Sequence, residues 1–118
     1  MAQLTLNFVD ATRGVAITNV DVEIQKIRDG NWQTIAEVVT GIEGDVSVIS
    51  ADVEGDLSGY YEASAQVGSY FLNAGYALPT LKFIDVIPIR FGISDADADT
   101  TITISLTPYG YTFLSKTS

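Results

Sequence analysis

Apolar and polar residues alternate with a period of two along most of this chain, and no other feature constrains its fold as strongly. The clearest runs are 4–8, 20–24 and 102–106, where Leu, Val, Ile or Phe fills every second position. Successive side chains of a β-strand point to opposite faces, so each run predicts a strand with one face in a core. The strands expected from such runs are 4–9, 20–27, 32–39, 45–49, 59–67, 83–91, 100–107 and 109–115.

The turn signals between these runs indicate how the strands are connected. Gly- and Asp-rich segments such as 29–31, 41–44 and 94–99 interrupt the alternation. Their spacing of ~8–12 residues is typical of antiparallel sandwiches and not of alternating strands and helices. We therefore expect an all-β fold, an eight-stranded two-sheet antiparallel β-sandwich. The 118 residues suit one domain, spanning 1–118.

Two short segments depart from plain strand patterning. Residues 68–75 (GSYFLNAG) have apolar side chains at helical spacing, with Ser69 as a possible N-cap and Gly75 as a C-terminal stop. They predict one short helix after the fifth strand. Pro88 lies inside an apolar run and has no N–H to donate, so its strand is expected at a sheet edge or with a bulge.

The composition excludes several classes of function. The chain has no Cys and no His, which excludes disulfides, Cys/His zinc sites, thiol nucleophiles and acid–base chemistry that uses an imidazole. Six Lys and Arg stand against 15 Asp and Glu, a net charge of −9. So acidic a protein is not expected to bind nucleic acid or an anionic membrane surface, since both need clustered cations. We expect no cofactor.

An acidic repeat near the C-terminus superficially suggests a calcium site. The repeat consists of Asp95, Asp97 and Asp99, separated by alanines. This is the spacing of the first ligands in an EF-hand loop. That loop needs Gly at its sixth position and Glu at its twelfth, where this chain has Thr100 and Leu106. A charged hairpin tip is the better interpretation, and we expect no metal site.

Four segments in order resemble the transthyretin and hydroxyisourate hydrolase family over nearly the whole chain. They are LTLNFVDATRGVAITNVDVEI (4–24), NWQTIAEVVTGIEGDV (31–46), GYYEASAQVGSYF (59–71) and LTPYGYT (106–112). The resemblance implies a transthyretin-like, prealbumin-type sandwich. It also implies a homotetramer, a dimer of dimers with a central channel. In the last segment, Tyr109 and Tyr111 are either at a subunit seam or only at a corner between strands.

The resemblance also shows where the hydrolase residues of this family would fall. The first-strand His falls on Asn7, the Arg after the turn glycine on Asp45, and the His-x-His on Asp99 and Thr101. The C-terminal Tyr-Arg-Gly-Ser is absent, unless a one-residue slip pairs Lys116 with its Arg. Opening the hydroxyisourate ring needs a base to activate water and a donor for the oxyanion. None of the hydrolase catalytic residues is kept, so we expect no catalytic residue at these positions.

The carrier branch of the same family gives a second set of positions. Its channel-lining residues fall on Asn7, Asp45, Thr103, Ser105, Thr112 and Leu114. Asp45 keeps the acidic character that the carrier branch has after the turn glycine, whereas Asn7 stands where that branch has its first-strand Lys. Alternation independently predicts that Thr101, Thr103 and Ser105 face outward together, as either a solvated strand face or one wall of a pocket. A polar or cationic small ligand fits these residues better than a thyroid hormone.

Three functional hypotheses follow. The first is a non-catalytic, homotetrameric protein that binds a small molecule in its channel. The second is a divergent hydroxyisourate hydrolase of purine (urate) catabolism that uses Asp45 or Lys116. The third is a structural or adhesive β-sandwich module. The N-terminus lacks a basic and apolar leader, which favours a cytoplasmic location, with a periplasmic or secreted mature form left open.

Overall fold

A computed structural model describes residues 2–53 and 55–118 of the chain. In this part, nine strands are joined by turns, by a 3-10 turn at Ser50–Asp52 and by one helix, α1 (Val67–Asn73). The strands are β1 (Gln3–Asp10), β2 (Val15–Ala16), β3 (Asp21–Arg28), β4 (Asn31–Val39), β5 (Asp45–Ile49), β6 (Gly59–Ala65), β7 (Ile87–Ile93), β8 (Thr100–Thr107) and β9 (Gly110–Thr117). Within the described residues, no helix has the length and apolar character needed to cross a membrane.

The strands form two sheets packed face to face. In the first sheet, β1 pairs with β8 on one side and with β5 and β2 on the other, and β9 pairs with the far side of β8. The second sheet has the order β4-β3-β6-β7. The predicted two-sheet β-sandwich is thus confirmed. The structure differs from the prediction in two details: β1 and β8 run parallel, and β2 is an additional strand of two residues.

The core lies between the sheets and follows the alternation in the sequence. Along β1, Leu4, Leu6 and Phe8 are buried while the residues between them are half-buried on the other face. Along β8, the buried residues are Ile102, Ile104 and Leu106. Burying a large aliphatic or aromatic side chain stabilises a fold by ~1.5–3 kcal/mol, so these strands contribute much of the driving force.

The strand predicted at 83–91 is wrong at its start, since β7 begins at Ile87. β6 ends at Ala65, the partner of Ile87, so residues before Ile87 have no strand beside them. Their backbone bonds to the helix instead, where the Gly68 N–H donates to the Asp85 carbonyl at 2.8 Å. Pro88 lies in β7 at the edge of the second sheet, as predicted.

The short helix is confirmed, with different ends. It begins at Val67, which also shortens the strand predicted at 59–67. Ser69 is not the N-cap: it lies inside the helix, and its hydroxyl donates back to the Gln66 carbonyl at 2.9 Å. Gly75 ends the helix with a φ of +90°, a conformation that a glycine adopts at little cost.

A buried carboxylate connects the end of β1 to this helix. Asp10 is fully buried and accepts hydrogen bonds from the hydroxyls of Tyr70 (3.0 Å) and Tyr76 (2.8 Å). It also accepts the main-chain N–H groups of Thr12 (3.0 Å) and Arg13 (3.3 Å). A buried charge is tolerated only when it is this well hydrogen-bonded. The contacts fix the β1–β2 turn against α1.

Tyr70→Phe tests that connection through alkaline stability. Burial and the hydrogen bond to Asp10 raise the pKa of Tyr70 to about 12. The unfolded phenol titrates near ~10, so this stabilisation is complete below that pH and is lost as the pH rises towards about 12. We expect the variant to lose ~1.5 kcal/mol at pH 7 and to show a shallower further loss at high pH, measured by urea unfolding.

Tyr109→Phe is the matched control, because the Tyr109 ring is exposed. Every variant is expected to lose some stability at alkaline pH, since burial also raises the pKa of Tyr61 to about 12. Identical alkaline profiles for Tyr70→Phe and Tyr109→Phe would contradict the proposed contribution of Tyr70.

Candidate functional site

The outward side of the first sheet carries mostly polar side chains, and we term this surface the polar face. Its position follows from the pleat, because the residues between the buried ones on β1 and β8 must point away from the core. The predicted outward orientation of Thr101, Thr103 and Ser105 is confirmed by their exposed or half-buried side chains. The polar face consists of Thr5, Asn7, Asp45, Ser47, Thr101, Thr103, Ser105, Thr112, Leu114 and Lys116.

Strand register arranges these residues in rows across the sheet. One row runs Asp45, Asn7, Thr103 and Leu114, from β5 through β1 and β8 to β9. Directly opposed residues on neighbouring strands have Cβ atoms ~4.5–5.5 Å apart, so one small molecule can reach two or three of them. The six ligand-binding candidates named from the sequence therefore share one face.

The adjacent rows contain the remaining members. Ser47, Thr5, Thr101 and Lys116 form the row on one side, and Ser105 and Thr112 pair on the other. Asp99 lies beyond the polar face, immediately before the start of β8, where its carboxylate accepts the Gln3 main-chain N–H at 3.0 Å.

The turn between β4 and β5 positions the Asp45–Asn7 pair. Gly44 has a φ of +76° and packs directly against β1, where its carbonyl accepts the Phe8 N–H at 2.8 Å. This close approach brings the Glu43 carbonyl to 3.0 Å from the Asn7 side-chain Nδ2, which donates to it. The turn thereby fixes the orientation of the Asn7 amide. This role of Glu43 was not predicted from the sequence, where Gly41 and Gly44 were the available signal of a tight turn.

Asp45 brings an uncompensated charge to the polar face. Its side chain is half-buried at the start of β5, with Oδ1 3.2 Å from the position that a Cβ on Gly41 would occupy. Among the described residues, no hydrogen bond or ion pair reaches this carboxylate. Lys116 is on β9, three strands away and thus ~14 Å across the sheet. The Asp45 end of the polar face is therefore negative.

The chemistry open to this face is that of a carboxylate, an amide and hydroxyls. A carboxylate can accept a proton or attract a cation, whereas the amide and the hydroxyls hold a ligand by hydrogen bonds. Within the described part of the chain, no cluster of acidic side chains is arranged to hold a metal ion. The Asp95 repeat instead closes a turn, with the Asp97 N–H donating to the Asp95 carboxylate at 2.9 Å.

A shallow groove on the second sheet is a weaker candidate. It is lined by Asp21, Glu23, Glu37, Ser64 and Gln66, and it places Glu23 directly opposite Glu37. Like charges opposed across strands repel each other, and water relieves the repulsion on an exposed face. This groove matches no position implied by the family resemblance, so we take the polar face as the candidate site.

Comparison with known proteins identifies the family. The model of the HIUase/Transthyretin family matches residues 4–114. The 5-hydroxyisourate hydrolase 2 of Rhizobium meliloti (strain 1021) is 31% identical over 109 residues, covering 92% of this chain and 91% of that protein. The chain belongs to the HIUase/transthyretin family. The family match confirms the resemblance drawn from the four sequence segments.

Solved structures support the same fold. The crystal structure of (S)-allantoin synthase superposes with a TM-score of 0.84 at 22% identity, over 98% of this chain but only 44% of that longer one. Sea bream transthyretin in complex with thyroxine superposes with a TM-score of 0.80 at 23% identity, over 98% of this chain and 95% of the other. At these identities the likeness concerns the fold alone.

Gly44→Ala tests the close packing of the β4–β5 turn against β1. An added Cβ would lie well inside van der Waals contact of the Phe8 carbonyl oxygen, and its φ of +76° is unfavourable for alanine. We expect a loss of more than ~3 kcal/mol in the free energy of unfolding, measured by urea denaturation.

Gly30→Ala is the matched control. Gly30 has a similar φ of +80°, but a Cβ there meets no atom within 4 Å. The control therefore measures the cost of the left-handed backbone conformation alone, for which we expect a loss of ~1–2 kcal/mol in the free energy of unfolding. Equal losses in the two variants would contradict a packing role for Gly44.

Proposed function

We propose that this chain is a divergent 5-hydroxyisourate hydrolase, acting in purine catabolism, with its site on the polar face. One observation carries the proposal: a protein named 5-hydroxyisourate hydrolase 2 is 31% identical over 92% of the chain. The polar face supports it, because the positions that correspond to three family catalytic residues, Asn7, Asp45 and Thr101, lie there in two adjacent rows.

Asp45 is the group proposed to replace the missing imidazoles as the base. In the ring-opening step, water gives a proton to the Asp45 carboxylate and its oxygen bonds to a ring carbonyl carbon. The C–N bond of that ring amide then breaks, and the nitrogen takes up the proton. The Thr103 hydroxyl, in the same row, is proposed to donate a hydrogen bond to the developing oxyanion.

Binding without turnover is the second candidate. It is favoured by the absence of histidine from the chain and by a carboxylate at the position where the resemblance to the hydrolase branch implies an arginine. In this case the same residues, Asn7, Asp45, Thr103, Ser105, Thr112 and Leu114, would hold a small molecule and no bond would break. The two candidates share one site and differ only in whether the ligand is consumed.

We also propose that the chain is a homotetramer, a dimer of dimers, in which the polar face lines a central channel. β9 supports self-association, because its outer edge pairs with no other strand among the described residues and it exposes Tyr111, Phe113 and Leu114. An exposed apolar edge strand is a common surface for pairing with a second copy. A channel would exclude water from the polar face, which the isolated sheet leaves open.

Turnover of freshly generated 5-hydroxyisourate decides between the two candidates. We expect decay faster than the spontaneous rate, followed by ultraviolet absorbance, and a loss of about a hundredfold in Asp45→Asn, as is typical when a general base is removed. Asp21→Asn is the matched control, since that exposed carboxylate is on the second sheet. Decay no faster than in buffer would reject the hydrolase and leave the binding candidate.

The native mass tests the assembly separately. Light scattering coupled to size exclusion is expected to give four times the 12.7 kDa chain mass. Phe113 is the partner of Ile104 on β8, and its ring is partly exposed on the edge strand β9. Phe113→Lys places a charge at this edge and is expected to shift the mass to the monomer with the sandwich still folded. A wild-type monomer would remove the channel and favour the structural-module hypothesis.

A further inference from the structure

The Asn7 side chain presents an acceptor at the polar face. Its Nδ2 donates to the Glu43 main-chain carbonyl at 3.0 Å, which commits one amide hydrogen and fixes the side chain. In the described part of the chain, no donor reaches the side-chain oxygen. A primary amide with one N–H group engaged and a free oxygen is complementary to an N–H donor.

Asp45 adds a negative charge directly beside that acceptor. The two residues are opposed partners on β5 and β1. The Asp45 carboxylate is half-buried and has no partner among the described residues, so its charge is screened less than a fully exposed one. An unpaired carboxylate in this setting favours a cation and disfavours an anion.

The rest of the neighbourhood leaves this preference unchanged. Thr5 and Thr103 contribute hydroxyls, which donate or accept as the ligand requires. Ser47 on β5 does the same. Lys116, the one cation among the residues of the polar face, lies beyond two intervening strands, at a distance larger than the screening length in physiological salt.

We infer that the Asp45–Asn7 pair selects small ring compounds by charge and by hydrogen-bond donors. A cyclic guanidinium or amidinium cation binds best, with its N–H groups on the Asp45 carboxylate and the Asn7 oxygen. A neutral ureide ring binds less tightly, and an anionic ring is rejected. The inference rests on the proposed function only for the position of the site, and it implies that a ureide substrate is bound as its neutral form.

Three nitrogen-containing ring compounds that differ in charge test the selection. They are 2-aminoimidazole, which is protonated at pH 7, allantoin, which is neutral, and urate, which is an anion. Titration calorimetry on the wild-type protein is expected to show affinity falling in that order, by about tenfold or more from the cation to the anion. Added salt is expected to narrow the difference.

Two variants assign the effect to Asp45. Asp45→Asn keeps the size of the side chain and removes its charge, so the ratio of the cation's affinity to the anion's is expected to fall by about tenfold. Asp45→Lys is expected to reverse the order in favour of urate. Asp21→Asn, on the second sheet, is expected to behave as the wild type, and circular dichroism checks that every variant is folded.

The outcomes separate this inference from the proposed function. Equal affinities in the wild type, tighter binding of urate, an unchanged affinity ratio in Asp45→Asn, or no binding of any of the three compounds overturns the charge selection. Failure of 5-hydroxyisourate turnover with the affinity order intact rejects the hydrolase and keeps the selection. Turnover of 5-hydroxyisourate with the affinity order inverted keeps the hydrolase and rejects the charge selection.

Discussion

The pairing of β1 on both of its edges is the constraint on which the rest of the molecule depends. β8 lies along one edge and β5 and β2 along the other, so β1 cannot shift in register without breaking three sets of hydrogen bonds. Because the side-chain period is two, a shift by one residue would also place its buried residues in solvent. The same pleat therefore fixes both the core and the polar face.

β1 connects this sheet to two separate parts of the chain, at two different points along its length. At its C-terminal end, the buried Asp10 carboxylate holds the tyrosines of α1 and the following loop. Near its middle, Asn7 is held by the carbonyl of Glu43 in the β4–β5 turn. Both contacts join residues more than 30 positions apart, so helix, turn and candidate site share one rigid strand.

The polar face has a different chemical character from the one that its family resemblance implies. Where histidines and an arginine are expected, it has Asn7, Thr101 and Asp45, and these remain adjacent because the strand register is independent of the side chains that the face carries. A sandwich of this kind tolerates such replacements because its stability comes from the opposite, buried face. The fold is thus retained although Asp45 has the opposite charge to the arginine that the hydrolase resemblance implies at this position.

The sequence by itself determined the sandwich and the composition of the polar face, because alternation and turn residues act locally and each strand carries its own pattern. It also placed Pro88 at a sheet edge, since proline lacks an N–H wherever it lies. Only the tertiary structure decided where β7 begins, which hydrogen bonds hold Ser69 and Asp10, and that the Glu43 carbonyl orients Asn7. These depend on which distant backbone groups come within hydrogen-bond reach after the sheets pack, and no local pattern carries that information.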